Sequence, residues 1–181
     1  MMDREEKPAF TFCPKCGASE FITRDLGRSF KCRKCKFHYY INNSAAVACL
    51  IINDKGQLLL TRRAVEPGKG MLDLPGGFVE PMESAEDAVV REIKEELNIH
   101  ITKKTYLVSF PNLYPYSDFT VPTVDLAYVC EAATMDTLKP GDDVASIEFF
   151  LPENIDFREL CSQSMKQIIR YYVEKVQKDQ L

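Results

Sequence analysis

No stretch of the 181 residues is apolar for the length of a membrane span, so nothing here predicts a chain that crosses a bilayer. The opening residues, MMDREEKPAF, are polar and of mixed charge; they lack the apolar centre of a secretory signal, and the expectation is a cytoplasmic protein. Positive charge is not in excess. Lys and Arg number 23 against 27 Asp and Glu, a net −4, which excludes a general attraction to nucleic acid or anionic membrane. Nucleic acid is therefore not an expected partner. There is no internal repeat and no low-complexity segment. Seven cysteines is an odd number, a poor fit to a secreted disulfide framework. What is left is a globular composition, 45% hydrophobic and 28% charged, long enough for one domain and a small module.

The chemistry is densest from Gly76 to Ile99, GGFVEPMESAEDAVVREIKEELNI. Ala85, Ala88, Val89, Ile93 and Leu97 recur at helical spacing. Ser84 is the natural N-cap, with Asp87 three residues on as a variant of the capping box. Asn98 falls where the helix should stop, second only to Gly for a left-handed terminal residue. Glu92, Glu95 and Glu96 share one helix face, an arrangement that costs roughly 0.2–0.5 kcal/mol per like-charged pair. Such hard oxygen ligands suit Mg²⁺ or Mn²⁺. Arg91 stands four residues before Glu95 and tempers the cluster. Ahead of the helix, Pro75-Gly76-Gly77 offers a backbone that a ligand can approach closely. A glutamate-rich face taken alone is usually only solvated; the complete pattern is what changes the reading.

Cys13-Pro-Lys-Cys16 and Cys32-Arg-Lys-Cys35 are two CxxC pairs fifteen residues apart. That spacing predicts a structural Zn²⁺ site, closed by four sulfurs. Phe10, Phe12, Phe21, Ile22 and Phe30 supply short strand-like positions. So small a segment builds little core, and the metal would supply the missing stability. His38 is read as a surface or packing residue. The stretch FKCRKCKFHYY is locally basic and aromatic; contact with nucleic acid stands there as the minority reading beside plain solvation.

Ala45 to Ile52 reads as a buried strand, with Cys49 a core residue. Asn53 to Gly56 is a turn, and Gln57 to Arg63 the return strand of a hairpin. Arg62 and Arg63 either meet substrate phosphates or are surface charges. Leu72 to Leu74 is a short strand entering the glycine loop. Ile101 to Phe110 is a strand, and Pro111 to Phe119 a stiff loop whose Tyr114 and Tyr116 either stack on a base or pack locally. Val121 to Cys130 is a strand broken by Asp125, which faces either the site or solvent. A loop from Ala132 ends in Gly141-Asp142-Asp143, followed by a strand from Ala145 to Leu151. Arg158 to Lys178 is a closing helix whose apolar stripe, from Leu160 to Val176, serves core packing or a dimer face.

Counted from Gly77, five residues lead to Glu83, seven more to Arg91-Glu92, then Ile93, a spacer, Glu95-Glu96, a spacer, Asn98 and Ile99. This resembles the Nudix box; Asn98 departs from the family's Gly, mildly on the capping argument. The N-terminal segment is similar to the zinc ribbon of the NADH pyrophosphatase group. Of that group's Ser-Gln-Pro-Trp-Pro-Phe-Pro-x-Ser motif, Ser109, Pro111, Pro115 and Ser117 match while the Gln and Trp positions do not. NADH specificity is thereby in doubt.

The resemblance implies a Nudix α/β/α sandwich around a mixed sheet, residues 41–181, preceded by a small zinc ribbon within residues 1–40. It implies Mg²⁺-dependent hydrolysis of a diphosphate linkage in a nucleoside diphosphate derivative, ADP-ribose or a dinucleotide. The alternatives are a nucleoside triphosphate pyrophosphohydrolase and a non-catalytic nucleotide sensor or partner-binding protein. Glu92, Glu95, Glu96 and the Gly76 carbonyl would hold Mg²⁺, Arg91 would orient a carboxylate and Glu83 would support the metal shell. Gly76, Gly77, Arg62, Arg63, Tyr114 and Tyr116 would meet a small-molecule nucleotide. Glu92 is the first choice for general base, with Asp142, Asp143 and Glu148 behind it. A homodimer is allowed.

Overall fold

The computed structural model describes residues 10–24, 27–116 and 119–177. The expected lead-in at residues 1–9, the motif position Ser117 and the helix end at Lys178 lie outside them, as does the side chain of Val176. The chain divides into two compact units, Met1–Asn43 with Pro115–Val121, and Ser44–Tyr114 with Pro122–Leu181.

In the first unit, β1 (Phe21–Arg24), β2 (Ser29–Cys32) and β3 (His38–Tyr40) form an antiparallel sheet with β2 in the middle. One side of it is a small aromatic core. Phe10 meets Phe30 and Tyr39 edge-on at 5.9 and 4.9 Å between ring centroids, and Phe21 meets Phe30 at 6.3 Å. Each Cys pair sits in a knuckle of the same build. The amide four residues after the first Cys returns to that Cys carbonyl: Gly17 to Cys13 at 2.8 Å and Lys36 to Cys32 at 3.1 Å. Both closing residues have positive φ, 71° and 63°. Glycine takes that conformation freely and lysine does not.

The second unit explains its own hydrophobic pattern. β4 (Ser44–Ile51) runs parallel to β8 (Phe119–Ala132), which lies between β4 and β7 (Ile101–Tyr116). β5 (Leu58–Arg63) lies between β6 (Leu72–Asp73) and β9 (Val144–Phe150), antiparallel to both. Parallel and antiparallel pairing therefore coexist, and helices cover both faces. Val47, Cys49 and Ile51 of β4 pack toward Ala88, Val89, Ile93 and Leu97 of α1 (Ala85–Leu97). Ala48 and Leu50 face the other way, with Met165, Ile168, Ile169 and Tyr172 of α2 (Gln163–Gln177). A strand covered on both faces has no polar side, which is why AAVACLII reads as one apolar run. The apolar stripe on α2 is core packing. Among the described residues no helix is long and apolar enough to cross a membrane.

Three expectations change. The β4–β5 hairpin closes for a single bridge, Ile52 to Leu58, after which the strands part into different sheets. The turn between them forms as expected, with Asn53 Oδ1 accepting from the amides of Lys55 and Gln57. The loop expected after Phe110 is instead the second half of β7. β7 is an edge strand, the position in a sheet that tolerates proline, because a nitrogen on its outer side has no ladder bond to make. The closing helix begins at Gln163, not Arg158. Residues 159–161 are used otherwise: the Leu72 amide donates to the Glu159 carbonyl and the Cys161 amide to the Leu72 carbonyl, both at 2.9 Å. Ser162 Oγ then accepts from the Met165 amide and opens the helix.

Candidate functional site

The helix that carries the glutamates is fixed at both ends. Ser84 Oγ accepts from the Asp87 amide at 3.1 Å. Asp87 answers with a 2.7 Å bond to the Ser84 hydroxyl itself, not to its backbone amide as in a full capping box. Asn98 adopts the left-handed conformation, φ 55°, and its amide returns to the Lys94 carbonyl. Its side chain does what glycine could not. Nδ2 donates to the Thr137 carbonyl at 3.1 Å, and Oδ1 accepts from Lys94 Nζ at 2.7 Å, so this residue ties the following loop to the helix end.

Arg91 organises the carboxylates. Its Nε and Nη2 grip both oxygens of Glu83, at 2.9 and 2.8 Å. Nη1 reaches Glu92 at 2.7 Å and Glu95 at 3.2 Å, and Nη2 also donates to the Phe78 carbonyl. That fork holds Glu83 down at about 2. Burial pushes Glu92 above the usual carboxylate range, against the pull of Arg91. Glu96 is pushed up to about 8, first by burial and also by the charge of Glu92, although the Gly76 amide donates to its Oε2 at 3.0 Å. Buried carboxylates that repel one another are the setting in which a divalent cation gains most, and the all-oxygen donor set fits Mg²⁺ or Mn²⁺. The two glycines are steric requirements. A Cβ on Gly76, at φ 143°, would overlap the Val47 carbonyl, and one on Gly77 would lie 2.5 Å from Glu92 Oε1.

Beside this face lies a cavity of about 230 Å³. Gly76, Gly77 and Glu96 form its glutamate wall, and Phe78 and Tyr114, edge-on at 5.4 Å, form an aromatic one. Sequence reasoning left three contributors open or unseen. Asp125 is buried, accepting from Thr123 Oγ1 at 2.9 Å and Ser164 Oγ at 2.5 Å, and it lines the cavity rather than facing solvent. Asp73 is paired with Arg63 at 2.9 Å, and its Oδ1 is buried with no hydrogen-bond partner among the described residues. A lone acid in the short apolar strand before the glycine loop was the available signal. Gly141 packs where a Cβ would overlap the Glu95 carbonyl, and its amide donates to the Glu96 carbonyl at 2.8 Å.

The other expected residues are placed as follows. Arg63 lines the cavity, while Arg62 does not and is engaged by Glu148 at 2.7 Å and Glu159 at 3.2 Å. Glu148 is bound through both oxygens by Arg62, which keeps its pKa low. Asp143 lines the cavity, and Asp142 is exposed and does not. Tyr116 is exposed and belongs to the first unit.

The four cysteines converge, their sulfurs all within 4.8 Å of one another. Cys13–Cys35 and Cys16–Cys32 are each 3.7 Å apart. Sulfurs placed at about 2.3 Å around a tetrahedral Zn²⁺ stand about 3.8 Å from each other, whereas a disulfide needs about 2 Å. The cluster therefore fits zinc. His38 lies outside it, 3.3 Å from the Tyr40 hydroxyl.

Comparison with known proteins agrees with this geometry. The "ADP-ribose pyrophosphatase" of Methanocaldococcus jannaschii is 36% identical over 120 residues, 66% of this chain and 69% of that protein. The "NAD-capped RNA hydrolase NudC" of Stutzerimonas stutzeri is 26% identical over 90% of this chain and 54% of its own length. This chain thus spans about half of that relative. Similar solved structures include a NUDIX hydrolase from Nitrosomonas europaea, with a TM-score of 0.64, 24% identity and coverage of 91% of this chain and 90% of that one. The NUDIX domain of Shewanella oneidensis NrtR, complexed with ADP ribose, gives 0.60 and 18%, covering 75% of this chain and 89% of that one. These two likenesses speak to the fold. The family model described as "NUDIX domain" matches residues 42–172, well over half of the 181, and the chain belongs to the Nudix hydrolase family.

Proposed function

We propose that this chain hydrolyses a diphosphate linkage in a nucleoside diphosphate derivative, with ADP-ribose or a dinucleotide such as NAD(H) as substrate. The observation that carries the reading is the bond from the Gly76 amide to Glu96, which joins the carboxylate face of α1 to the wall of the cavity. The names of the relatives, an ADP-ribose pyrophosphatase and an NAD-capped RNA hydrolase, fit a diphosphate linkage as the target. The cavity, about 230 Å³, is smaller than the roughly 300–1,000 Å³ typical of whole-ligand sites. It takes one half of a two-part substrate and leaves the diphosphate at the glutamates. Residues 41–181 form the hydrolase domain in this reading, and the Cys₄ segment within residues 1–40 is a zinc ribbon.

Glu92, Glu95, Glu96 and the Gly76 carbonyl would hold Mg²⁺ or Mn²⁺, which would supply charge neutralisation at the phosphates and a more acidic water. Arg91 fixes Glu83 and Glu92 in place. Glu92, raised by burial, takes the proton as the water oxygen bonds to phosphorus and the bridging P–O bond breaks. Asp143, at the cavity wall, is the competing base; Glu148 is engaged by Arg62. Phe78 and Tyr114 offer faces to a base.

The test is hydrolysis across ADP-ribose, NADH, NAD-capped RNA, a diadenosine polyphosphate and the common triphosphates with Mg²⁺ or Mn²⁺, with products identified by mass. One preferred diphosphate substrate and metal-dependent turnover are expected. A preference for triphosphates would replace the substrate class, and nucleotide binding without turnover would make the protein a sensor.

A further inference from the structure

The net charge of −4 conceals a division. Residues 1–43 hold nine Lys and Arg against five Asp and Glu, while residues 44–181 hold 14 against 22. The first segment is thus +4 and the remainder −8. A zinc tetrathiolate carries a formal −2 and offsets two of those positive charges, so a surplus persists with the metal bound. The surplus is concentrated. Lys31, Arg33, Lys34 and Lys36 fall within six residues that contain no acid.

The sheet determines where these groups stand. Ile22, Lys31 and His38 are cross-strand partners in one row, and Ser29 and Tyr40 are partners in the next, so Lys31, His38 and Tyr40 share a face. It is the face opposite the aromatic core. Lys31, Arg33 and Lys36 line an open depression there with Ile22 and Cys32. His38 and Tyr40 are exposed, their rings 4.4 Å apart and tilted by 37°. Among the described residues these two rings make ring contact only with each other, while Phe10, Phe21 and Phe30 make the core of the unit.

We propose that the face of the β1–β2–β3 sheet bearing Lys31, His38 and Tyr40, with Arg33 and Lys36 beside it, binds single-stranded nucleic acid. Cations spaced along a strand track phosphates, and an exposed aromatic pair with polar tips stacks on bases that only a single strand leaves free. A lipid surface would want aliphatic side chains to insert, and Ile22 is the one aliphatic residue in the depression. This surface is separate from the hydrolytic reading and does not depend on it.

The test uses the full zinc-loaded chain and fluorescence anisotropy with a short oligouridine RNA and an oligothymidine DNA across a salt series. Binding that weakens with salt is expected. The variant Lys31→Gln, Arg33→Gln, Lys36→Gly removes three cations, and its third change relieves the positive φ at that position. Its salt slope should fall by about 2, at roughly 0.7 per lost phosphate contact on a single strand. Tyr40→Ala should weaken binding about tenfold with the slope unchanged, as loss of a stacked base requires. Zinc content and turnover of a small dinucleotide should match the parent in both variants. An RNA preference would add 2′-hydroxyl contacts to the same surface. Failure of the parent to bind either strand, capture of phosphatidylserine vesicles in place of both, or a parental slope in the zinc-loaded triple variant overturns the proposal. Absence of turnover on any substrate would overturn the hydrolytic reading alone.

Discussion

Gly77 and Glu92 contend for one volume: a Cβ on residue 77 would stand 2.5 Å from Glu92 Oε1 and 2.6 Å from its Cδ. The obstacle is the end of a flexible side chain, so Gly77→Ala should move the carboxylate and spare the fold. Turnover is expected to fall by roughly 10²-fold, the scale of a misplaced reacting group, with little change in Tm. Gly76→Ala meets backbone instead, at the Val47 carbonyl, in a conformation that L residues rarely adopt. It should lower Tm by about 5 °C or more, from strain of roughly 1–3 kcal/mol. Thermal melts and initial rates of the two variants separate the effects; equal behaviour would refute the distinction.

Glu96 makes stability depend on pH and metal together. An unperturbed Glu ionises near 4.5, whereas the folded carboxyl keeps its proton to about 8. The folded state therefore binds more protons between those values, and stability from this group is full below 4.5 and declines as pH rises to 8. A cation that takes the ionised form reverses the loss. The rise in Tm produced by Mg²⁺ should be larger at pH 8 than at pH 6, and Glu96→Gln should flatten both dependences. Glu95→Gln with Glu96→Gln should abolish turnover in a folded protein; near-parental rates there would remove these residues from the site.

Arg91→Lys keeps the charge and loses the fork. A single ammonium cannot hold both oxygens of Glu83 together with Glu92, Glu95 and the Phe78 carbonyl. We expect kcat/KM to drop roughly 10²-fold, in the range found when groups supporting metal ligands are lost, with weaker metal dependence of the rate. A variant with parental metal affinity would show that the fork is dispensable.

The ribbon should carry about one zinc per chain, as a Cys₄ site implies. A strong chelator should release it and unfold the β1–β2–β3 sheet while the second unit, with its own two cores, stays folded. Metal analysis and amide exchange test this directly. Protein purified without chelator that holds no zinc would contradict it.

Tyr114 lines the cavity and Tyr116 does not. Tyr114→Ala should raise KM about tenfold, as loss of a stacked base would at roughly 1–3 kcal/mol, and Tyr116→Ala should leave it unchanged. Equal KM values in both variants would make the first tyrosine a packing residue only.

Local physics was legible in the sequence, and pairing between distant segments was not. The caps of α1, the continuous apolar run of β4 and the two knuckles each follow from residues a few positions apart. The parting of β4 from β5, the length of β7 and the late start of α2 depend on which strand or carbonyl lies alongside, and no local pattern reports that. The site divides in the same way. The glutamate face is written in the spacing of one helix. Asp125 shows its role only when Ser164, 39 residues later, arrives to donate to it. Arg62 suits a phosphate by residue type and position, but Glu148 and Glu159, both distant in the chain, occupy its guanidinium.

The two sheets are joined at two seams: the bridge at Ile52–Leu58, and the segment after β6, whose Pro75, Gly77 and Val79 exchange backbone bonds with Cys49, Val47 and Ala45 of β4. The cavity draws its walls from both: Ala46 and Val47 of β4 and Asp125 of β8 on one side, Thr61 and Arg63 of β5 on the other. Its width is then set by the core packed between these two seams. Buried residues of that core, such as Ala48 and Leu60, act as shims, and a methylene gained or lost there would reshape the ligand's room without altering any group the ligand meets. Ligand preference in this chain can drift from inside the core outward, leaving no trace in the lining residues by which such preferences are usually compared.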